Sequence, residues 1–241
     1  MKTLVNKYNF LLSTNDFDYK DNLRPIAILN YFQTVSGMHA SEIGCGYEEF
    51  KKRDFAWVLV KIKYKVYSQA KLDSEIVVKT WPKEPRRVEH DRCYNIFDKD
   101  NNLLVEGLSR WCVIDINTRR ISREKDFYEG VFLEEETNLI FDNEIIKNND
   151  FSSMEYVYDY KISLSDLDHN GHMNNTKYGD IILNISDKDK FIKEFEINYI
   201  NESFINQSLE IYKLDLENGD LFVMALNKET KQIAFKALIK Y

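Results

Sequence analysis

The apolar and polar positions of the chain predict the same order of elements twice. Apolar residues recur with helical spacing from Ile28 to His39 and again from Tyr178 to Ile185. Pro25 suits the first turn of the earlier helix, and Gly44–Gly46 marks its end. A strand-like run precedes each helix, and several strand-like stretches follow it. Each half is therefore predicted to contain a strand, a loop, one helix and a run of further strands.

Ten segments are predicted to be strands from their alternation and their aromatic and β-branched content. They are Tyr8–Leu12, Val58–Val66, Glu75–Trp81, Val88–Phe97, Leu103–Ile116, Tyr156–Leu164, Phe195–Ile200, Leu209–Leu214, Leu221–Leu226 and Ile233–Ile239. Asp98–Asn102 and Asn218–Gly219 predict hairpin turns between neighbouring strands. One long helix with a run of antiparallel strands indicates the α+β class, with a sheet wrapped around the helix in each half.

The two halves also match in the loop that precedes each helix. Asn15–Asp18 and Ser165–Asp168 correspond at an offset of 150 residues. At the same offset, Lys20 corresponds to Asn170, and Asn22 corresponds to His172. Only the second copy therefore has side chains suited to chemistry, which predicts one active site per chain. We expect an N-terminal domain at 1–130, a polar connecting segment at 131–149 and a C-terminal domain at 150–241.

Composition restricts the class of protein. The chain has 241 residues, a net charge of −7 and three cysteines without a CxxC pair. This pattern predicts a cytoplasmic protein from a reducing compartment, without a disulfide framework or a zinc site. The acidic charge argues against nucleic acid as a partner. No secretory signal is recognisable, and no apolar run approaches the roughly 18 residues of a membrane span.

The segment Ser165–Tyr178 contains the strongest candidate chemistry. Asp168, Asn170 and His172 surround Gly171 in a predicted tight loop that leads into the second helix. His172 is the acid–base candidate because a histidine side chain ordinarily titrates near neutrality. Asn170 either donates an amide hydrogen to an oxyanion, fixes a ring nitrogen or only forms the turn. Backbone N–H groups at the helix N-terminus favour negative charge on a polarised carbonyl.

Other polar residues near this loop have competing interpretations. Asp168 is interpreted as shaping the loop as well as taking part in catalysis, because Asp18 persists in the first copy, where no histidine follows. Asn174 and Asn175 are predicted to cap the helix. Glu202 lies at the end of the next predicted strand, and composition alone favours a solvated side chain there.

The segment Asp166–Tyr178 resembles the signature of the acyl-acyl carrier protein (ACP) thioesterases. These enzymes consist of two tandem hot-dog domains and hydrolyse the thioester that ends fatty-acid synthesis. The first half resembles the family at His39–Gly44, Trp57–Lys61, Ser109–Trp111 and Thr118–Ser122. The resemblance covers nearly the whole chain. It implies two hot-dog domains, each a sheet around one long helix, with the acyl-chain pocket in the first and catalysis in the second.

The resemblance also implies site residues and a mechanism. It assigns catalytic roles to Asp168, Asn170, His172 and Glu202, with no metal and no organic cofactor. Water would attack the carbonyl at the helix N-terminus, and either Glu202 or His172 would activate it. Plant-type members have a cysteine directly after the glutamate, whereas this chain has Ser203. That difference argues against a covalent cysteine mechanism here.

The implied partner is acyl-ACP, an acidic protein. Seven of the nine arginines lie between Arg86 and Arg123, where they form either a solvated surface or a dock for that partner. The predicted docking residues are Arg86, Arg87, Arg119, Arg120 and Arg123. The strand residues Lys61, Lys63 and Lys65 are further candidates. The two units would form either a monomeric pseudo-dimer or a homodimer.

Several alternatives stay open at this stage. Phe55, Trp57, Trp81 and Trp111 either line an acyl tunnel or fill the core. A hot-dog thioesterase acting on coenzyme A esters would have a similar loop and helix. A non-catalytic acyl-binding module and a hydratase on the same fold are the remaining alternatives.

Overall fold

The computed structural model describes residues 3–124, 127–128, 130–135, 137–142 and 149–241. The chain divides into two compact units. The first unit consists of Met1–Leu23 and Ala27–Ile140, and the second of Arg24–Ile26 and Phe141–Tyr241. Within the described residues, no helix is both long enough and apolar enough to cross a membrane.

Five antiparallel strands form the sheet of the first unit. The elements of this half are β1 (Asn6–Leu11), α1 (Pro25–Glu42), α2 (Tyr47–Lys51), β2 (Phe55–Val66), β3 (Glu75–Pro82), β4 (His90–Asp98) and β5 (Leu103–Asp115). The strand order is β1-β3-β4-β5-β2. Helix α1 packs closely on the middle of this sheet, where the Phe32 ring stacks on Tyr94 at 4.3 Å. A Cβ atom at Gly107 would lie 2.3 Å from the Phe32 ring, so this approach requires glycine on β5.

The second unit repeats the plan with a shorter helix. Its elements are β6 (Glu155–Lys161), α3 (Tyr178–Ile185), β7 (Glu194–Tyr199), β8 (Ser208–Asp215), β9 (Leu221–Asn227) and β10 (Ile233–Lys240). The strand order is β7-β10-β9-β8-β6, again antiparallel. Tyr178 anchors α3 on the sheet through edge contacts with Phe235 at 5.0 Å and Tyr199 at 5.5 Å.

The α+β class, the ten strands and both hairpins agree with the predictions from the sequence. The turn between β4 and β5 closes where Asp98 N–H donates to the Asn102 carbonyl, and Gly219 adopts φ +86° between β8 and β9. The second helix differs from the expectation of a long helix, since α3 has eight residues whereas α1 has 18. The apolar residues of α3 end at Ile185. The helix stops there because polar residues follow, and Ser186 has an extended backbone conformation.

Strand β2 also departs from the predicted continuous alternation. A β-bulge interrupts its pairing with β5 between Leu59 and Lys61. The extra residue exchanges the faces of the strand, so Leu59 is buried before the bulge and Ile62 is buried after it. Lys63 lies on the face opposite Ile62 but is buried as well, and its Nζ donates to the carbonyl of Ile140 at 2.8 Å. The prediction that Lys63 lies on a solvent-facing docking strand is therefore wrong.

Aromatic residues form a packed cluster in the first unit. The cluster contains Phe50, Phe55, Trp57, His90, Phe127, Tyr128 and Phe132. Phe127 and Tyr128 come from the chain that follows β5, so this segment contributes to packing. Trp81 is fully buried, whereas Trp57 and Trp111 are half-buried.

Candidate active site

The loop before α3 is held in shape by the Asp168 carboxylate. Asp168 Oδ1 accepts the backbone N–H of Asn170 at 2.9 Å and that of His172 at 3.1 Å. The Asp168 N–H donates to the His172 carbonyl at 2.8 Å, and Gly171 adopts φ +81° between them. This backbone conformation favours glycine, so the Asn-Gly-His sequence suits the turn.

The first unit contains the same loop without the histidine. Asp18 Oδ1 accepts the N–H of Lys20 at 2.8 Å and that of Asn22 at 3.0 Å. The Asp18 N–H donates to the Asn22 carbonyl at 2.9 Å. The aspartate at these equivalent positions therefore shapes the loop whether or not a histidine follows it.

A second aspartate anchors the same loop from inside. Asp166 is buried, and its carboxylate accepts the Ser163 N–H at 2.8 Å and the Tyr160 hydroxyl at 3.0 Å. Its backbone carbonyl accepts the N–H of Asn174 at 2.8 Å. These bonds fix both ends of the segment that includes His172.

The structure brings His172 and Glu202 together. His172 Nδ1 lies 3.6 Å from Glu202 Oε1, and the two side chains are 25% and 34% exposed. The approach depends on a short antiparallel pairing beyond β7, in which His172 faces Phe204 and Met173 N–H donates to the Ser203 carbonyl at 2.8 Å. A distance of 3.6 Å is longer than a hydrogen bond but permits one as the groups move or bind water.

Phe204 restricts the imidazole from a second side. Its ring meets His172 edge-on, with a centroid distance of 4.9 Å and an interplanar angle of 90°. Sequence reasoning did not identify this residue. Its only signal was its position two residues after Glu202, which becomes informative once the local pairing is known.

Ser203 is buried beside this pair but is not activated by it. Burial raises the pKa of Tyr178 to about 12, and the nearby Ser203 hydroxyl opposes that rise. Ser203 Oγ itself forms no hydrogen bond of ordinary length and angle within the described residues. His172 faces Glu202 at the distance given above, and nothing in this arrangement provides Ser203 with a base.

The N-terminus of the helical segment is formed by a 3-10 turn, Asn175–Lys177, that leads directly into α3. Asn174 caps this turn as predicted, because its Oδ1 accepts the N–H of Thr176 at 3.0 Å. The Lys177 N–H donates to the Asn174 carbonyl, and the Tyr199 hydroxyl donates to the Asn175 carbonyl at 2.8 Å. Among the described residues, the Asn175 N–H is the donor of this turn that has no protein acceptor.

Asn170 is placed differently from its companions. It is exposed, and its backbone N–H donates to Asp168. Its side-chain amide makes no hydrogen bond within the described part of the chain. Of the four predicted site residues, His172 and Glu202 meet through their side chains, Asp168 holds the backbone of the loop, and Asn170 faces solvent.

The three cysteines all belong to the first unit. Burial raises the pKa of Cys45 to about 11 and that of Cys93 to about 12, so both remain thiols near neutral pH. Cys112 is half-buried in β5. In the described ranges, no three His, Cys, Asp or Glu side chains converge as metal ligands would.

The arginine-rich segment separates into buried, paired and exposed members. Arg92 is buried, and Arg110 forms two hydrogen bonds with Asp91 at 2.7 and 2.9 Å. The five predicted docking residues are all exposed: Arg86, Arg87, Arg119, Arg120 and Arg123. Arg87 and Arg119 lie in turns, where each adopts a φ of 57°.

Comparison with protein families matches both halves of the chain. The model of the acyl-ACP thioesterase N-terminal domain matches residues 3–131, and that of the C-terminal domain matches residues 149–240. A search of curated proteins finds no match.

Solved structures share the fold over nearly their full length. An acyl-ACP thioesterase from Bacteroides thetaiotaomicron is 22% identical with a TM-score of 0.88, covering 98% of this chain and 97% of that chain. The 12:0-ACP thioesterase from Umbellularia californica is 19% identical with a TM-score of 0.82, covering 100% and 98%. A putative oleoyl thioesterase from Lactobacillus plantarum is 15% identical with a TM-score of 0.81, covering 98% and 94%.

Proposed function

Because the chain belongs to the acyl-ACP thioesterase family, it is a thioester hydrolase acting on fatty acyl-ACP, and we propose that Glu202 and His172 activate the attacking water. The observation that carries this proposal is the 3.6 Å separation of Glu202 Oε1 and His172 Nδ1, with both side chains partly open to solvent. A carboxylate beside an imidazole can take a proton from water and return one to a leaving group.

Each proton in the proposed reaction has a defined path. Glu202 accepts a proton from water, and the hydroxyl oxygen bonds to the thioester carbonyl carbon. The tetrahedral intermediate then breaks its C–S bond, and the departing thiolate takes a proton from protonated His172. Proton transfer from Glu202 to His172 restores both groups. The products are a free fatty acid and the carrier-protein thiol.

The oxyanion of the intermediate is proposed to bind at the start of the helical segment. The backbone N–H of Asn175 supports this role, because the N–H groups of Thr176 and Lys177 already have acceptors. The helix dipole adds a favourable field at this end. Removal of one oxyanion donor typically raises the barrier by about 2.7–4 kcal/mol. The exposed Asn170 amide is proposed as a second donor when substrate covers the loop.

We assign Asp168 a positioning role in this scheme. Its carboxylate holds the backbone of His172, and the equivalent Asp18 does the same in a copy without the histidine. Asp166 fixes the other end of the loop from its buried position. Both aspartates act through the geometry of the residues that contact the substrate.

The organisation of the chain is proposed to follow its two units. The tandem hot-dog arrangement assigns acyl-chain binding to residues 1–130 and catalysis to residues 150–241, joined by residues 131–149. The family matches at 3–131 and 149–240 support that division. Part of the connecting segment lies outside the described residues. A cytoplasmic location and a monomeric pseudo-dimer or a homodimer stay predictions.

Acyl-ACP is proposed to dock on the five exposed arginines Arg86, Arg87, Arg119, Arg120 and Arg123. Their exposure and positive charge support this, because an acidic partner is steered by such a surface. Lys63 is excluded from the dock because it is buried and bonded to a carbonyl. A coenzyme A ester is the alternative substrate. The two are distinguished by measuring the hydrolysis rates of an acyl-ACP and an acyl-coenzyme A ester with the same acyl chain.

The mechanism is tested by steady-state hydrolysis of acyl-ACP with Glu202→Gln, His172→Gln and the double variant. Each single change is expected to lower kcat by at least 100-fold, and the double variant is expected to lose little more, because the two groups act as one unit. Ser203→Ala is the control, because Ser203 is the neighbour of Glu202 and has no role in the proposed reaction. It should retain kcat within about 5-fold of wild type.

Two outcomes would contradict the proposal. One is loss of turnover in Ser203→Ala while Glu202→Gln stays active, which would indicate a serine nucleophile. The other is strict additivity of the two single losses in the double variant, which would show that Glu202 and His172 act independently.

A further inference from the structure

Strand β4 presents a row of polar side chains to the interior of the first unit. His90, Arg92 and Tyr94 alternate along the strand and therefore share one face. Tyr94 stacks on Phe32 of α1, and Arg92 Nη1 lies 3.0 Å from His39 Nδ1 of the same helix. This face is thus the one covered by α1. Buried polar groups are uncommon in such a position unless they have partners.

Within this row, the Tyr94 hydroxyl has its hydrogen-bond partners inside the protein. The Tyr94 hydroxyl lies 2.7 Å from Ser36 Oγ and 2.7 Å from Ser109 Oγ. The Trp111 Nε1 donates to the same Ser109 hydroxyl at 2.7 Å. The network is closed within the protein and leaves no group available for a ligand.

Arg92 is different because its partners are neutral. The residue is 7% exposed, and its Nη1 donates to His39 Nδ1 and to Thr80 Oγ1 at 3.2 Å. Since a guanidinium only donates, the His39 nitrogen must accept and carries no proton in this arrangement. A buried cation without an anionic partner is strongly disfavoured.

The nearby carboxylates are engaged elsewhere. Asp91 points to the opposite face of β4 and is bonded by Arg110. Glu42 accepts the Tyr8 hydroxyl at 2.9 Å and the Asn6 amide at 2.5 Å. None of the ion pairs in the described part of the chain includes Arg92. The protein therefore does not supply the guanidinium with a counter-ion there.

His90 provides an independent indication of a ligand. It is 2% exposed, and its Nδ1 lies 3.2 Å from the Tyr128 hydroxyl. Its Nε2 is buried without a hydrogen-bond partner within the described residues. Burial lowers the pKa of His90 to about 4, so the ring is neutral at pH 7. In the tautomer whose Nδ1 accepts from the Tyr128 hydroxyl, the Nε2 carries the hydrogen and is an unused donor.

We propose that the first unit holds a binding site for the carboxylate of a free fatty acid, formed by Arg92 and His90. The guanidinium supplies the positive charge, and His90 Nε2–H supplies a donor two residues away on the same strand face. The acid is a fatty acid because aromatic rings surround the imidazole, with Trp57 at 5.0 Å and Phe127 at 5.6 Å.

The experiment measures binding to the full-length protein, so it does not depend on hydrolysis. Decanoate, decanol and acetate are titrated against wild type, Arg92→Met, His90→Phe and Arg110→Met, with calorimetry as the readout. Decanol tests the alkyl chain alone, and acetate tests the carboxylate alone. Arg110→Met is the matched control, because it removes a guanidinium from the opposite face of the same sheet.

Wild type is expected to bind decanoate at least 10-fold more tightly than decanol or acetate. Arg92→Met and His90→Phe are each expected to weaken decanoate binding at least 10-fold and to change decanol binding less than 3-fold. Arg110→Met should bind decanoate as wild type does. If Arg92→Met does not fold, His90→Phe decides, because it removes the second donor without changing the charge.

The proposal is overturned if decanoate and decanol bind wild type equally. It is also overturned if both interior variants bind decanoate as wild type does, or if Arg110→Met loses as much affinity as Arg92→Met. Because no turnover is measured, loss of the proposed hydrolytic mechanism would leave this result unchanged.

Discussion

The two equivalent loops allow the role of Asp168 to be tested against an internal control. Asp168→Ala removes the acceptor of two N–H groups, at 2.9 and 3.1 Å. Asp18→Ala removes the same pair in the first unit, at 2.8 and 3.0 Å. The two changes delete matching backbone contacts in matching turns, and Asp18→Ala also removes the bond from the Asn22 side-chain amide at 3.2 Å. Only Asp168 holds a loop that carries an acid–base residue.

The effect on stability should be similar in the two variants. Hydrogen bonds to a charged acceptor contribute roughly 1.5–3 kcal/mol when buried. Both loops are partly open to water, so the pair is expected to contribute about 1–3 kcal/mol in each unit. Urea unfolding followed by far-ultraviolet circular dichroism, which reports on both units, should show comparable shifts of midpoint for Asp18→Ala and Asp168→Ala.

The effect on activity should differ. Asp168→Ala frees the backbone of His172, so the imidazole loses its fixed distance to Glu202. A 100-fold loss of kcat/KM, equivalent to about 2.7 kcal/mol, is expected in acyl-ACP hydrolysis. Asp18→Ala should stay within about 3-fold of wild type, as expected for a change remote from the reacting atoms.

Asp168→Asn separates geometry from charge. Asparagine retains an Oδ1 that can accept both N–H groups, so this variant should keep kcat/KM within about 10-fold of wild type. If Asp168→Asn were as inactive as Asp168→Ala while remaining folded, the carboxylate charge would itself take part in the reaction. If Asp18→Ala lost as much activity as Asp168→Ala, the loss would come from general destabilisation.

Two further predictions concern pH and salt. Because the pKa of His90 falls from 6.5 to about 4 on folding, only the unfolded chain takes up this proton between those values. The free energy of unfolding should therefore fall by about 3 kcal/mol as pH drops through this window and stay level above it. Urea unfolding at pH 7 and pH 4.5 checks this, and His90→Phe should lose the dependence on pH that this residue contributes. Arg119→Gln with Arg120→Gln should raise KM for acyl-ACP several-fold at low salt with kcat unchanged, because exposed arginines steer an acidic partner. A KM of wild type that does not change with added salt would contradict docking by charge.

Most of the fold could be predicted from the sequence because its signals are local. Alternation marks a strand, and the Asn218-Gly219 pair marks its turn, without any knowledge of distant residues. The bulge at Leu59 and Lys61 could not be predicted in this way, since it depends on how β2 pairs with β5. The short length of α3 follows from the polar residues after Ile185. This is a local signal, and the prediction of a long helix did not take it into account.

The candidate site could be predicted only in part. The loop around His172 consists of turn-forming residues. Its existence and its position before a helix can therefore be predicted from the neighbouring sequence alone. The contact with Glu202 joins residues 30 positions apart and depends on the pairing of His172 with Phe204. No periodicity indicates that pairing, and Glu202 entered as a site residue through the family resemblance. Arg92 was grouped with surface arginines, although the alternation of β4 places it beside His90 and Tyr94 on the covered face.

The comparison of the two loops explains how one copy can lack chemistry and keep its shape. In both copies the aspartate accepts the same two backbone N–H groups, which hold the turn whichever side chains follow, and in the first copy Asp18 also accepts the Asn22 side-chain amide. The second loop has an additional feature, since Met173 N–H donates to the Ser203 carbonyl and brings Glu202 to His172. No pairing of this kind involves Asn22 in the described part of the first unit. A histidine at position 22 would therefore have the turn but not this pairing, which supports the prediction of one active site per chain.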